Sequence, residues 1–134
     1  MDQYQAGLKF GYRSGLEKRV AASLTVRGAE HSYESVRIRW VQPETSHIYT
    51  PDFEVVTASG KTILVELKGR WVQKDRAKMK QVVQQHPDLD IRMVFQAPTA
   101  KIYKGSATTY AQWCSKHLGI PWAKGDVPTA WLEE

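Results

Sequence analysis

Apolar residues recur every four positions in "SGLEKRVAASLTVRG", where Leu16, Val20 and Leu24 share one face of an amphipathic helix. Ser14-x-x-Glu17 at its start matches a capping box, and Gly28 closes it. The period then shortens to two. In "YESVRIRWVQ", Val36, Ile38 and Trp40 alternate with Arg37 and Arg39, which predicts one strand with a polar face. "PETSH" reads as a Pro-led extended connector, followed by a hairpin over "YTPDFEVVTASGKTILVELKG". "WVQKDRAKMKQVVQQH" predicts a helix stopped at His86-Pro87, and "LDIRMVFQ" a mostly buried strand. "SATTYAQWCSKHLG" predicts a helix with Ser106 as N-cap and Gly119 just past its end. "PTAWLEE" has the makings of a last helical turn. The order α, β, β, β, α, β, α implies a mixed central sheet flanked by helices, an α/β (α+β) fold. Residues 1–12 show no periodicity and read as a flexible arm, leaving 13–134 as one domain.

The hairpin has a register that its turn decides. Gly60 suits the left-handed last position of a three-residue loop, Ala58-Ser59-Gly60, so Thr57 pairs Lys61 and Asp52 lies opposite Glu66. That register gathers Phe53, Val55, Ile63, Val65 and Leu67 on one apolar face. A two-residue Ser-Gly loop would put the two acids on opposite faces and scatter the apolar set.

Opposed carboxylates are destabilising unless they share a proton or hold a cation. Lys68 follows Glu66 on the same face at about 6.6–7 Å, which favours two ionised carboxylates and hence a hard cation such as Mg²⁺. The competing reading is a solvated polar face with an ordinary ion pair. Pro51 before Asp52, the matched register and Gly69 after Lys68 favour the cation, and P-D-x13-E-x-K is the signature of PD-(D/E)xK nucleases.

Charge adds a partner. A formal net charge of +5 favours polyanions such as nucleic acid. Its concentration between Lys61 and Lys80, against only Glu66 and Asp75, places Lys61, Arg70, Lys74, Arg76, Lys78 and Lys80 as phosphate contacts. Lys101, Lys104 and Ser106, the last at a helix N-terminus, extend that set, with Arg13 a further candidate and Arg37 and Arg39 weaker ones. A solvated helix face is the plainer alternative. One cysteine, Cys114, rules out an intramolecular disulfide and a Cys-based zinc cluster and fits a reducing compartment. The N-terminus lacks a signal-peptide pattern, and no apolar run approaches the ~18 residues of a membrane span. A cytoplasmic protein without membrane contact is expected.

Five blocks, "RSGLEKRV", "SHIYTPDF", "VELKGRW", "QHPDLDIRMVF" and "KIYKGSATTYAQWCSKHLGI", closely resemble the phage endonuclease I family, Holliday-junction resolvases of short-tailed phages. The resemblance runs from Arg13 to about Trp131. It implies a restriction-endonuclease-like fold and a metal-dependent deoxyribonuclease that cuts four-way junctions and other branched DNA by paired nicks. It also implies a homodimer that exchanges residues 13–40 through a bridge at 41–48, with 49–134 as catalytic core. The family's catalytic positions fall on Glu17, Asp52, Glu66 and Lys68. Asp52, Glu66 and the Leu67 carbonyl resemble ligands of Mg²⁺, for which Mn²⁺ could substitute. Glu17 resembles the carboxylate of a second metal position, reached from the partner subunit, although a capping box explains it without chemistry. The chain ends "AWLEE", where family members can carry a basic extension, so DNA contact through a tail is in doubt. A general nicking or restriction-type nuclease, and a non-catalytic junction binder, are the alternatives.

Overall fold

The structure is a computed structural model that describes residues 14–42 and 45–134. The expected arm, Arg13, and residues 43–44 of the connector lie outside the described residues. Helix α1 (Gly15–Val26) opens where expected, with the Ser14 hydroxyl accepting the Glu17 N–H at 3.1 Å. Its inner face is Leu16, Glu17, Val20, Ala21 and Leu24, and Gly28 takes the positive φ of +66° past its end.

Of the expected strand over 33–42 only 38–42 forms, and a strand that the sequence pattern did not suggest precedes it. Strand β1 (Glu30–Tyr33) ends at Glu34, whose φ is +50° and whose N–H donates to the Asp52 carbonyl at 3.0 Å. That left-handed residue turns the chain out of the sheet, so β2 (Ile38–Gln42) begins a second sheet. The expected connector is itself mostly strand. β3 (Thr45–Tyr49) pairs antiparallel with β2 in the register Ile38 with Tyr49 through Gln42 with Thr45. This small sheet is held to the core by side chains of the next helix. The Gln85 amide bonds both the N–H and the carbonyl of Val41, and His86 Nε2 meets the Arg39 carbonyl at 2.5 Å. Backbone groups on an edge strand are thereby satisfied without another strand.

The hairpin of β4 (Phe53–Val56) and β5 (Thr62–Lys68) has the expected register, Phe53 with Val65 and Val55 with Ile63. The turn closes through the Thr57 N–H to the Lys61 carbonyl at 2.7 Å, with Gly60 at φ +89°. Helix α2 (Gln73–Gln85) stops at His86, before Pro87. It carries the chain back so that β6 (Ile91–Phe95) runs parallel to β5. The C-terminal third differs from expectation at its start. Helix α3 (Tyr110–Trp113) is capped by Thr109 with Gln112 in a reciprocal capping box, then runs on as a π-helical turn, Cys114–Leu118, to Gly119 at φ +63°. Ser106 is not the cap; its hydroxyl accepts the Thr108 N–H in the preceding loop. A short β7 (Trp122–Lys124) adds a further parallel strand, and α4 (Thr129–Leu132) is the expected last turn.

The main sheet has the order β1-β4-β5-β6-β7, antiparallel on one side of β5 and parallel on the other. It is the mixed, helix-flanked sheet expected. Each face supports its own core. Phe53, Val55, Ile63, Val65, Leu67 and Val94 meet α1 and Val127. On the other face Leu64, Ile91, Met93 and Phe95 meet Trp71, Met79 and Val82 of the α2 segment, together with Trp40 and Tyr49 of the small sheet. Burying each of these large side chains stabilises the fold by about 1.5–3 kcal/mol. The alternation also decides where Glu66 goes: on the Leu64 face, under the small sheet, rather than out to water.

Candidate active site

Asp52 and Glu66 meet at the end of the β4–β5 hairpin away from its turn, with 4% and 7% of their surface exposed. Asp52 Oδ2 accepts the Leu67 N–H at 2.8 Å. Within a strand the N–H and carbonyl of a residue point to the same flank, so the Leu67 carbonyl also faces the Asp52 side. Glu66 divides its oxygens between two partners. Oε2 accepts the Tyr49 hydroxyl at 2.6 Å, and Oε1 lies 3.8 Å from Lys68 Nζ. Lys68 in turn reaches Asp75 Oδ2, on the first turn of α2, at 3.4 Å.

The fourth expected residue arrives from α1. The Glu17 N–H completes the Ser14 cap, while its carboxylate accepts the Tyr33 hydroxyl at 2.6 Å and hydrogen-bonds Asp52. The capping and site readings therefore divide between backbone and side chain of one residue. Glu17 stands beside Asp52 of its own chain. Glu34 joins them: one ligating oxygen each from Glu17, Glu34 and Asp52 falls within 4.8 Å of the others.

Burial makes this a poor place for negative charge. Desolvation, then the charge of Glu66, pushes the Asp52 carboxyl up to about 9, against the help of the Leu67 N–H. Desolvation also raises Glu66, opposed by Lys68 and by hydrogen bonds from Tyr49 and Asp52. The expected pull of Lys68 towards ionised carboxylates is present at Glu66, but burial opposes it at both acids. Its ammonium stands 3.8 Å from Glu66 and is shared with Asp75, too little to offset two desolvated carboxylates. A proton or a cation must lie among them. Several carboxylate oxygens and a backbone carbonyl, with no sulfur or imidazole, form a donor set that suits a hard divalent cation.

The expected phosphate contacts separate into groups. Lys74 and Lys78 line a groove of about 840 Å³ between α2 and the small sheet, with Asp75, Trp40, His47 and Ile48. Lys78 Nζ also sits 5.4 Å from the Tyr49 ring centre. Arg70 is exposed just past β5, and Lys80 is half-buried outside that groove's lining. Lys101 and Lys104 are exposed on a loop closed by the Ile102 N–H to the Thr108 carbonyl. Ser106, in that loop, is not at a helix N-terminus, which removes the reason for reading it as an anion site.

Arg76 is likewise corrected. It is 6% exposed, donates to the carbonyls of Trp71 and Ile102, and lies over the Trp113 ring. Its place on the inward face of α2 makes it a strut between helix and loop. Lys61 is ion-paired with Asp90 and Glu134 at the turn end of β5, about 16 Å along the strand from Glu66. Tyr49, Tyr33, Glu34 and Asp75 are members of the site that sequence reasoning passed over. Tyrosines in strands read as packing. Only the backbone reversal at Glu34, which no spacing rule anticipates, brings its carboxylate to Asp52.

Comparison with known proteins adds a lineage to this geometry. Residues 2–134 match the family model described as phage endonuclease I. The chain is 45% identical to endodeoxyribonuclease 1 of Enterobacteria phage T3, over 92% of this chain and 78% of that protein. It is 42% identical to endonuclease I of Escherichia phage T7, over 92% of this chain and 79% of that protein.

Proposed function

The chain belongs to the phage endonuclease I family, and from that premise we propose that it is a divalent-metal-dependent endodeoxyribonuclease that resolves four-way DNA junctions and other branched DNA by paired cuts. The observation that carries the reading is the meeting of buried Asp52 and Glu66 beside the Leu67 backbone and Lys68, in a chain of this lineage. Asp52, Glu66 and the Leu67 carbonyl would hold the cation, Mg²⁺ or in its place Mn²⁺, and Glu17 with Glu34 would serve a second position. Such a cation supplies Lewis-acid polarisation of the scissile phosphate and a more acidic bound water.

The chain's own groups do the rest. Lys68 gives one N–H to Asp75, and its remaining donors would orient an attacking water or a non-bridging phosphate oxygen. In the hydrolysis a water oxygen bonds to phosphorus and gives up a proton, while the bond to the leaving deoxyribose oxygen breaks and that oxygen takes up a proton to become a hydroxyl. Lys74 and Lys78 would seat flanking phosphates in the groove beside Asp75. Arg70, Lys80, Lys101 and Lys104 would extend the track.

We further propose a homodimer that exchanges residues 13–40 through the 41–48 bridge, with 49–134 as catalytic core. Exchange recreates between subunits the contacts that one chain makes with itself. The Glu17–Asp52 contact would then join two copies, giving two sites and hence two cuts. The dimer would act in the host cytoplasm. Among the described residues no helix is long and apolar enough to cross a membrane.

The test is cleavage of a four-way junction against its linear duplex, in Mg²⁺ and in Ca²⁺. Cutting of the junction alone, in Mg²⁺ alone, is expected, and Glu66→Ala or Lys68→Ala should abolish it while junction binding persists. Equal cutting of both substrates would reduce the protein to a general nuclease. Unimpaired cutting by either variant would remove the assigned chemistry. Sedimentation at micromolar concentration should give a dimer.

A further inference from the structure

Tyr49 ends β3 with 1% of its surface exposed, its ring inside the cluster formed by Leu64, Trp71, Met79 and Met93. A buried phenol needs a partner for its hydroxyl, and here that partner is Glu66 Oε2 at 2.6 Å. We propose that Tyr49 is a positioning residue of the cation site: its fixed hydroxyl sets the orientation of the Glu66 carboxylate towards Asp52. The inference rests on the reading that Asp52 and Glu66 hold the cation.

The physical ground is the softness of a glutamate's last torsion. Rotation about that bond is broad and roughly two-fold, so strand geometry and rotamer preference leave the two oxygens undecided. Something outside the side chain must choose. Lys68, at 3.8 Å from Oε1 and also drawn to Asp75, is too distant and too divided to do so, and the hydrogen bond from Asp52 comes from the other ligand, which must itself turn to the cation. The tyrosine has only two side-chain torsions, and both are locked by packing on all sides. Its single O–H therefore defines one direction for Oε2, and Oε1 with the remaining lone pairs is left towards Lys68 and Asp52. Tyr49 is also the last residue of the small sheet, which Gln85 and His86 tie to α2. The placement of that sheet is thereby coupled to a ligand oxygen.

Outer hydrogen bonds of this kind are worth about 10–100-fold in metal affinity. The experiment is calorimetric titration of Mn²⁺ alone, without DNA, into the full chain and into Tyr49→Phe, which keeps the ring and its contact with Lys78. Affinity at least tenfold weaker is expected, with cleavage at saturating metal falling less than the apparent affinity does. Val55→Ala, a core deletion on the opposite face of the sheet, controls for general loosening and should bind Mn²⁺ like the parent. Tyr49→Phe affinity within twofold of the parent would overturn the inference, as would an equal loss in Val55→Ala. Parent affinity that Glu66→Ala leaves unchanged would remove the cation site itself, and the inference with it.

Discussion

Asp52→Asn should stabilise the protein in chelator while abolishing cleavage. Burial and the charge of Glu66 raise the Asp52 carboxyl to about 9, whereas in the unfolded chain it titrates near 3.9. A folded-state value above the unfolded one contributes stability that is complete below about pH 4 and is lost as pH rises towards 9. Each unit crossed costs about 1.4 kcal/mol, so at pH 7 the loss is about 2–4 kcal/mol once relief shared with Glu66 is allowed for. Asparagine keeps an oxygen for the Leu67 N–H, now bonded at 2.8 Å, and carries no charge to desolvate. Urea unfolding in EDTA from pH 4 to 8 measures the difference. The two proteins should match near pH 4 and diverge as pH rises, with the variant the more stable. Mg²⁺ should then raise the stability of the parent and not of the variant. A difference independent of pH, or one that favours the parent in EDTA, would refute the reasoning. The general point is that a site built to hold a cation is stored strain.

Arg76→Ala should cost about 2–4 kcal/mol in urea unfolding, because two carbonyls lose a charged donor in a buried place, and Arg76→Lys should not restore it. Lost junction affinity with unchanged stability would return Arg76 to the phosphate contacts. Lys74→Met and Lys78→Met should each lower the slope of log affinity against log salt by about 0.9, while Lys61→Met leaves it unchanged. The Asp90 carboxyl is held down to about 2, chiefly by Arg92 and then by Lys61. A depressed value contributes stability above about pH 4 that is lost as pH falls towards 2, so the advantage over Asp90→Asn should vanish across that window in acid unfolding.

Local chemistry made much of this legible in the sequence. Gly60 specifies its own turn, and a period of two then carries that one choice along the hairpin to place Asp52 against Glu66. The α1 cap, the stop at Pro87 and the left-handed Gly28 and Gly119 are equally local. What only tertiary structure decided involves partners far apart in the chain. Glu34 reverses the backbone where its N–H finds the Asp52 carbonyl, so that residues 30–33 and 38–42 join different sheets. Gln85 and His86 supply β2 with the edge bonds that let a presumed connector be a strand. Ser106 and Thr109 offer the helix the same kind of cap, and Gln112 selects Thr109. Arg76 and Lys78 are two residues apart with the same charge, yet helical rotation sends one into the core and the other to the groove. Spacing alone could align two carboxylates. Only the packed fold could desolvate them, and desolvation is what turns a pair of acids into a demand for a proton or a cation.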